Sequence, residues 1–252
     1  MNTFADSLRH WRRTRHLSQL ALAGETDISA RHLAFLETGR ARPSRAMVLR
    51  LAAALGLPNG ETNGLLQHAG FSAQYPAREL EADEMATVRD AMLWTISRHA
   101  PYPALVMDRL WRITALNDPA TRLFGALGIG VGTSLLAVID GAVPPSEFIE
   151  NWGEVGRHTL QRLRTESARG GGIPDLDRTI ARLARDPDVA RTPEPGDSAV
   201  IPTIYRAGGL RLALFSTYAQ FGSAAEVALA DMKIELMFPA DEATKSALLA
   251  LS

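Results

Sequence analysis

The first seventy residues constrain the fold most, because they hold a series of short amphipathic stretches bounded by helix-capping residues. Ser18, Ser29 and Ser44 each precede such a stretch, where a serine hydroxyl accepts a hydrogen bond from a free N–H of the first helical turn. Gly39 and Gly56 follow two of the stretches, and glycine readily adopts the left-handed conformation that ends many helices. Isolated helices of this length are unstable in water, so they must pack on one another. The sequence therefore predicts an all-α domain of five short helices over residues 1–71.

The third predicted helix, residues 30–37, has two different faces. Leu33 and Leu36 lie on one face and should pack inward. The opposite face then points outward and carries Arg31 and Phe35. An arginine donates bidentately to guanine O6 and N7, and an apolar side chain contacts a thymine methyl. This face suits the major groove of DNA, although an exposed arginine and phenylalanine also fit a solvated surface or a protein contact.

The charge of the chain is divided unevenly along its length. Residues 1–71 carry nine arginines, no lysine and five acidic side chains, a net charge of +4, whereas the remainder carries −5. A basic segment on an acidic remainder indicates a polyanionic partner for that segment alone. A net charge of +4 over 71 residues can also arise by chance, so it is the charge together with the outward face of the third helix that leads us to expect double-stranded DNA as the partner of residues 1–71.

The segment LSQLALAGETDISARHLAFLETGRARPS resembles the helix-turn-helix of the phage-repressor (Xre/Cro-type) regulators. The matching positions are Leu17, Ser18, Gln19, Leu22, Ala23, Ile28, Ser29, Leu33, Leu36, Glu37, Gly39, Pro43 and Ser44. The segment departs from the family at Asp27, where a turn glycine is usual, but aspartate tolerates the left-handed conformation better than most residues.

This resemblance implies a lambda-repressor-like domain whose third helix lies in the major groove, while Gln19 and Ser29 contact phosphates. The predicted DNA-binding residues are Gln19, Ser29, Ala30, Arg31, His32, Ala34, Phe35, Thr38, Arg40, Arg42 and Arg45.

The rest of the chain shows a different pattern. Residues 72–83 contain a proline and no clear periodicity, which predicts a linker before a second domain over residues 84–252. The predicted strands are 103–108, 110–117, 199–205, 210–221 and 227–238; the predicted helices are 84–99, 119–127, 134–140, 145–166, 176–185 and 240–251. Two strands, several helices and a three-stranded meander predict an α+β, PAS-like domain. In such a domain, a five-stranded antiparallel sheet has helices on one face. The Gly170–Gly172 run lacks the lysine of a phosphate loop and is interpreted as a flexible connection.

Much of the chain also resembles regulators with a C-terminal MmyB-like ligand-binding domain. The stretches that carry this resemblance are ISARHLAFLETGRARPSRAMVLRLAAALGLP, HAPYPALVMDRLWRITALN, NWGEV and LFSTYAQFG…IELMFPADEATKSALLAL. The resemblance implies a PAS-like domain with a cavity for a fatty-acid-like or other apolar small molecule. Residues 222–227 depart from the family, which tends to have a Thr-Pro pair and an aspartate there.

A cavity of this kind should be mostly apolar with a few polar anchors. The predicted ligand-binding residues are Val106, Trp111, Arg112, Leu116, Asn117, Phe124, Trp152, Phe215 and Tyr218. Among them Arg112, Asn117 and Tyr218 are the candidate anchors for a polar head group, and core packing is the alternative role for each apolar member.

The sequence lacks the residues that several classes of function require. The chain has no cysteine, its six histidines show no metal-ligand spacing, and it has no HExxH, G-x-S-x-G or dinucleotide glycine motif. We expect no metal, no cofactor except a bound fatty acid or similar molecule, and no enzymatic activity; a self-regulating enzyme is the alternative. Without a secretory signal or a bilayer-spanning apolar stretch, we expect a soluble, cytoplasmic homodimer with no membrane partner. A C-terminal domain that only dimerises is the other alternative.

Overall fold

The computed structural model describes residues 3–78, 80, 82–193, 200–207, 209–221, 227–230 and 232–251. They form two compact units, and the chain passes from the first to the second after residue 78, inside the predicted linker. The first unit contains the described residues of 3–78, 166–173 and 227–230, and the second contains the others. No helix among the described residues is long and apolar enough to span a membrane.

Residues 3–71 of the first unit form five short helices, as predicted. They are α1 (Phe4–Thr14), α2 (Gln19–Glu25), α3 (Ala30–Glu37), α4 (Arg45–Ala54) and α5 (Asn59–His68). The hydroxyls of Ser18, Ser29 and Ser44 each accept a hydrogen bond from the backbone N–H three residues later, at the start of α2, α3 and α4. Gly39 and Gly56 have φ values of 72° and 58°. The serine caps and glycine stops therefore set these helix boundaries by the predicted mechanism.

The turn between α2 and α3 contains Asp27 in the left-handed conformation, with φ 50°. The expectation that aspartate preserves this turn is thus confirmed.

A glycine at this position adopts positive φ without the steric cost of a Cβ atom. We therefore expect Asp27→Gly to raise the unfolding free energy by about 0.5–1 kcal/mol, measured by urea denaturation. Asp27→Ala is the control, because it removes the carboxylate but keeps the Cβ atom, and it should not be stabilising. Stabilisation by both variants would show that the carboxylate, and not the backbone, is unfavourable.

The core of the first unit is built from buried leucines of every helix and extends to residues 166–173. Trp11 of α1 packs against Gly171 so closely that a Cβ atom on Gly171 would overlap the indole. Arg15 donates to the carbonyls of Leu55 (2.9 Å) and Ala168 (2.8 Å). Since the last carbonyls of a helix have no partner within it, Arg15 satisfies two helix ends together. The glycine run is therefore a packed turn, whereas its sequence predicts only a connection.

The second unit is built on a five-stranded antiparallel sheet. Its strands are β1 (Ala104–Met107), β2 (Ile113–Leu116), β3 (Thr203–Ala207), β4 (Leu210–Ala219) and β5 (Lys233–Pro239), in the order β2-β1-β5-β4-β3. The remaining helices in chain order are α6 (Ala86–Arg98), α7 (Asp118–Gly125), α8 (Leu135–Ile139), α9 (Trp152–Arg169), α10 (Pro174–Leu183), α11 (Pro187–Arg191), α12 (Val227–Ala230) and α13 (Glu242–Ala250). The predicted α+β domain with a five-stranded antiparallel sheet is confirmed.

Two predicted elements are wrong in part. The strand predicted over 227–238 begins only at Lys233, and residues 227–230 form α12 of the first unit. A four-residue apolar run with two alanines has no period that separates helix from strand. The helix predicted over 145–166 is a 3₁₀ turn at 145–147 followed by α9, which starts at Trp152.

The sheet also differs from the prediction in how it is covered. Met92 and Ile96 of α6 form one buried cluster with Val106 and Ile234 on one face of the sheet. Residues of α7, α8 and α9 line a cavity with strand residues of the other face, such as Leu105. Helices therefore cover both faces, and the cavity belongs to only one of them.

Candidate DNA-binding surface and ligand cavity

The outward face of α3 carries the residues that its periodicity predicts there. Arg31 is exposed, and its guanidinium lies over the half-buried Phe35 ring, 5.4 Å from the ring centroid. Leu33 and Leu36 are fully buried on the inward face. The two side chains most suited to base contact are thus adjacent and outward-facing, and the cation–π contact orients the arginine.

A buried carboxylate fixes α3 against α1 and α2. Glu37, at the end of α3, is 1% exposed and accepts hydrogen bonds from Arg12 Nε (2.6 Å) and Nη2 (3.0 Å). The side-chain amide of Gln19 donates to the same carboxylate at 2.8 Å. Burial alone would raise the pKa of Glu37, but the bonds from Arg12 and Gln19 outweigh it and the pKa is lowered. The predicted site does not include Arg12, because Arg12 is one of several arginines in its segment and nothing local distinguishes it. The resemblance includes Glu37 as a matching position but assigns it no role.

The other predicted DNA-binding residues differ in how free their side chains are. Ser29 caps α3, and the hydroxyl of Thr38 donates to the carbonyl of Ala34 at 2.8 Å. Arg45 donates to the carbonyl of Ser72 and to the Gln74 amide, which ties it to the chain after α5. Ala30, His32 and Ala34 are half-buried on α3, whereas Arg40 and Arg42 are exposed just beyond it.

A cavity of about 190 Å³ lies between the sheet and the helices α7, α8 and α9. Its lining is mostly aliphatic and aromatic: Leu105, Trp111, Ile113, Phe124, Leu127, Ile129, Leu135, Val138, Ile139, Pro145, Phe148, Ile149, Trp152, Val155, His158, Thr159, Arg162, Ile201, Thr203, Tyr205, Ser216, Tyr218, Glu235 and Met237. Apolar walls with a few polar groups are typical of sites for small organic ligands.

A strained turn presents Trp111 to this cavity. Trp111 has a positive φ of 58°, which is unusual for a residue with a Cβ atom. The Asp108 carboxylate holds the turn, because it accepts hydrogen bonds from the backbone N–H groups of Leu110 (2.8 Å) and Arg112 (2.9 Å). A strained backbone of this kind persists where the surrounding packing and hydrogen bonds hold it in place, and such positions are often found at ligand sites.

Polar side chains gather in one part of the cavity lining. The Tyr218 hydroxyl donates to Glu235 at 3.0 Å, and the guanidinium carbon of Arg162 lies 3.6 Å from the centroid of the Tyr218 ring. Burial, followed by the charge of Glu235, raises the pKa of Tyr218, so the phenol stays protonated. Burial and the nearby Arg162 lower the pKa of His158, which favours the neutral imidazole.

Four of the nine predicted ligand-binding residues line the cavity: Trp111, Phe124, Trp152 and Tyr218. Val106 instead packs on α6, and Phe215 stacks on Phe238 with ring centroids 5.5 Å apart. Arg112 donates to the carbonyl of Gly132, and Leu116 pairs with Leu105 across β1 and β2. Strand alternation directs Val106 and Phe215 to the opposite face of the sheet, and the turn before β2 directs Arg112 away from the cavity.

Asn117 also lies outside the cavity lining, and its side chain has a structural role. Its Oδ1 atom accepts from the N–H groups of Ala104 (2.9 Å) and Ala120 (3.0 Å), and its Nδ2 atom donates to the carbonyls of Ile96 (3.0 Å) and Tyr102 (2.9 Å). Both amide atoms are therefore committed to joining β1, α6 and α7.

The outward-facing α3 and the apolar cavity define a DNA-binding transcription regulator with a ligand-binding domain. The family model described as "MmyB-like transcription regulator ligand binding domain" matches residues 88–251, and a helix-turn-helix domain model matches residues 3–65. The chain belongs to the MmyB-like transcription regulator family.

Similar proteins are found among curated sequences and solved structures. Uncharacterized HTH-type transcriptional regulators of Mycobacterium bovis and of two strains of Mycobacterium tuberculosis are 27% identical to this chain over 211 residues, which is 77% of this chain and 80% of each relative. The solved PAS domain of Bordetella pertussis BvgS aligns with 66% of this chain and 93% of its own, at 15% identity and a TM-score of 0.32.

Proposed function

We propose that this regulator acts as a homodimer whose C-terminal domain senses a small apolar, fatty-acid-like molecule and which has no other cofactor. The cavity of about 190 Å³ carries this proposal. The cavity is partly open, so its apolar walls are accessible to water, and a domain that served only for dimerisation would gain by covering them with larger side chains. The cavity therefore favours a sensor over a dimerisation scaffold.

In the proposed mechanism, two helix-turn-helix units of a dimer bind half-sites about one helical turn apart. Ligand binding alters their spacing, and the affinity for the operator changes because the ligand binds one arrangement better than the other. Equal operator affinity of the ligand-free and ligand-bound protein would contradict this mechanism.

The proposed base-reading role of Arg31 is tested by comparison with Arg42, which lies beyond α3. Arg31→Ala should cost about 1–3 kcal/mol at one base position and relax specificity there, while Arg42→Ala should weaken binding to all sequences alike. Fluorescence anisotropy with an operator selected from random DNA, and with its single-base variants, measures both effects. Uniform weakening by Arg31→Ala would show that Arg31 contacts the phosphate backbone.

Native mass spectrometry of the purified protein tests the sensor and the dimer together. We expect a dimer with a stoichiometric apolar molecule, which denaturing extraction then identifies. An empty dimer that binds no added fatty acid would favour the scaffold, and a monomer under conditions that support operator binding would contradict the dimer.

A further inference from the structure

We propose that two copies of this chain pair through the outward face of α6, with the two α6 helices antiparallel about a two-fold axis at Trp94. This inference rests on the homodimer of the proposed function and adds to it the surface that forms the dimer. The sequence predicts a homodimer but assigns no residue to its interface.

The two faces of α6 differ in burial. Met92 and Ile96 are buried in the cluster that packs on the sheet. On the other side of the helix, Trp94 is 62% exposed and its neighbour Leu93 is 45% exposed. Helical periodicity accounts for the buried pair, whereas the exposed pair forms an apolar patch that the described residues leave open to water. A patch of this kind on a helix marks a surface for association.

Trp94 differs from the other tryptophans of the chain. The sequence contains four tryptophans, and the other three, Trp11, Trp111 and Trp152, are buried. Tryptophan is enriched among the residues that contribute most to protein–protein binding, because its ring buries a large area against the partner. Contact with a second chain would therefore remove the exposed ring of Trp94 from water.

The charges beside Trp94 indicate that the partner is a second copy of this chain. Asp90 lies four residues before Trp94 and Arg98 lies four residues after it, so the two charges flank the ring on one face of the helix. Both side chains are exposed, and the Arg98 guanidinium carbon lies 5.8 Å from the centroid of the Trp94 ring. In an antiparallel pair, each Asp90 lies level with Arg98 of the other copy. A parallel pair would instead bring like charges together, so this face is complementary to itself in the antiparallel arrangement.

Small side chains surround Trp94 on this face. Ala91 and Ser97 lie three residues to either side of it, Thr87 lies two turns before it, and all three are exposed. Small residues at a contact allow two helices to approach closely, which leaves room for the ring of the other copy. Because a two-fold axis uses the same surface on both copies, the assembly closes at two chains.

Sedimentation equilibrium of the full chain tests this surface. Trp94→Gln should raise the Kd of the dimer by about tenfold or more, because the symmetric interface contains the ring twice. Val131→Gln is the matched control, since Val131 is an apolar residue of the same domain with 66% exposure, and it should leave the Kd unchanged. A dimer as tight in Trp94→Gln as in the wild type would overturn this inference alone and leave the face to a different protein. A wild type that binds its operator as a monomer would contradict the proposed homodimer as well.

Charge reversal tests the antiparallel arrangement. Asp90→Arg and Arg98→Asp should each raise the Kd by about tenfold, because each creates two like-charge pairs in the dimer. The double variant exchanges the two charges, so it should return the Kd to within about threefold of the wild type. Arg164→Asp, which reverses an exposed charge on α9, is the matched control and should have no effect. A double variant that dimerises more weakly than either single variant would overturn the antiparallel pairing, and this comparison decides even if Trp94→Gln does not fold.

Discussion

Replacing Glu37 with alanine is expected to destabilise the helix-turn-helix unit by about 3–5 kcal/mol. The carboxylate is 1% exposed and accepts two bonds from Arg12 and one from Gln19. Without it, the Arg12 guanidinium remains largely buried with its charge uncompensated. Urea denaturation, monitored by circular dichroism, measures the loss.

Operator binding should fall together with stability, because Glu37 joins the end of α3 to α1 and to the start of α2. Glu25→Ala is the control; Glu25 is an exposed carboxylate on α2, and its removal should change the unfolding free energy by less than about 0.5 kcal/mol. If Glu37→Ala lowered the unfolding free energy as little as this control does, the hydrogen bonds among Glu37, Arg12 and Gln19 would be a consequence of helix packing and not one of its causes.

The same network gives stability a defined pH dependence. The pKa of Glu37 is lowered in the folded protein from its ordinary value of 4.5. A carboxyl group with a lowered pKa contributes stability that is fully present above its unfolded pKa and is lost as the pH falls through the folded pKa. The stability difference between the wild type and Glu37→Gln should therefore shrink as the pH is lowered below about 4.5. A difference that stayed constant with pH would show that the carboxylate is not ionised in the fold.

The helix-turn-helix unit was the most predictable part of the chain, because its determinants are local. Serine caps and glycine stops act within four residues, so they set the bounds of α2, α3 and α4 directly from the sequence. Trp11 packs on Gly171, which lies 160 positions further along the chain, and no local sequence pattern predicts a contact over that separation. The glycine run therefore predicted a connection and nothing more.

The sequence predicts the presence of an apolar ligand cavity, but it predicts only some of the residues that line it. Strand alternation separates the two faces of a strand, but it does not indicate which face borders a cavity when helices cover both. Val106 and Phe215 consequently lie on the face opposite the cavity. Arg162 lies in QRLRTESAR, where every arginine has the same local appearance, and only the tertiary structure brings this one to Trp111 and Tyr218.

The second large effect is expected at Asn117, where Asn117→Ala should cost about 3–4 kcal/mol of unfolding free energy. The side chain makes four hydrogen bonds to backbone groups of residues 96, 102, 104 and 120, and each contributes about 1 kcal/mol. Asn117 is also the N-cap of α7, so its loss frees the first turn of that helix. Thermal and urea denaturation of the full chain measure the effect.

Ser134→Ala is the matched control for this cap, because Ser134 caps α8 through one long bond of 3.4 Å and should cost about 1 kcal/mol or less. The contrast also separates two roles for Asn117, since a structural residue and a ligand anchor behave differently. A structural role predicts that the folded fraction of Asn117→Ala binds a fatty acid such as decanoate with unchanged affinity. A variant that kept its stability but lost decanoate binding would instead make Asn117 the anchor, because its amide would then have to leave these four backbone partners for the ligand.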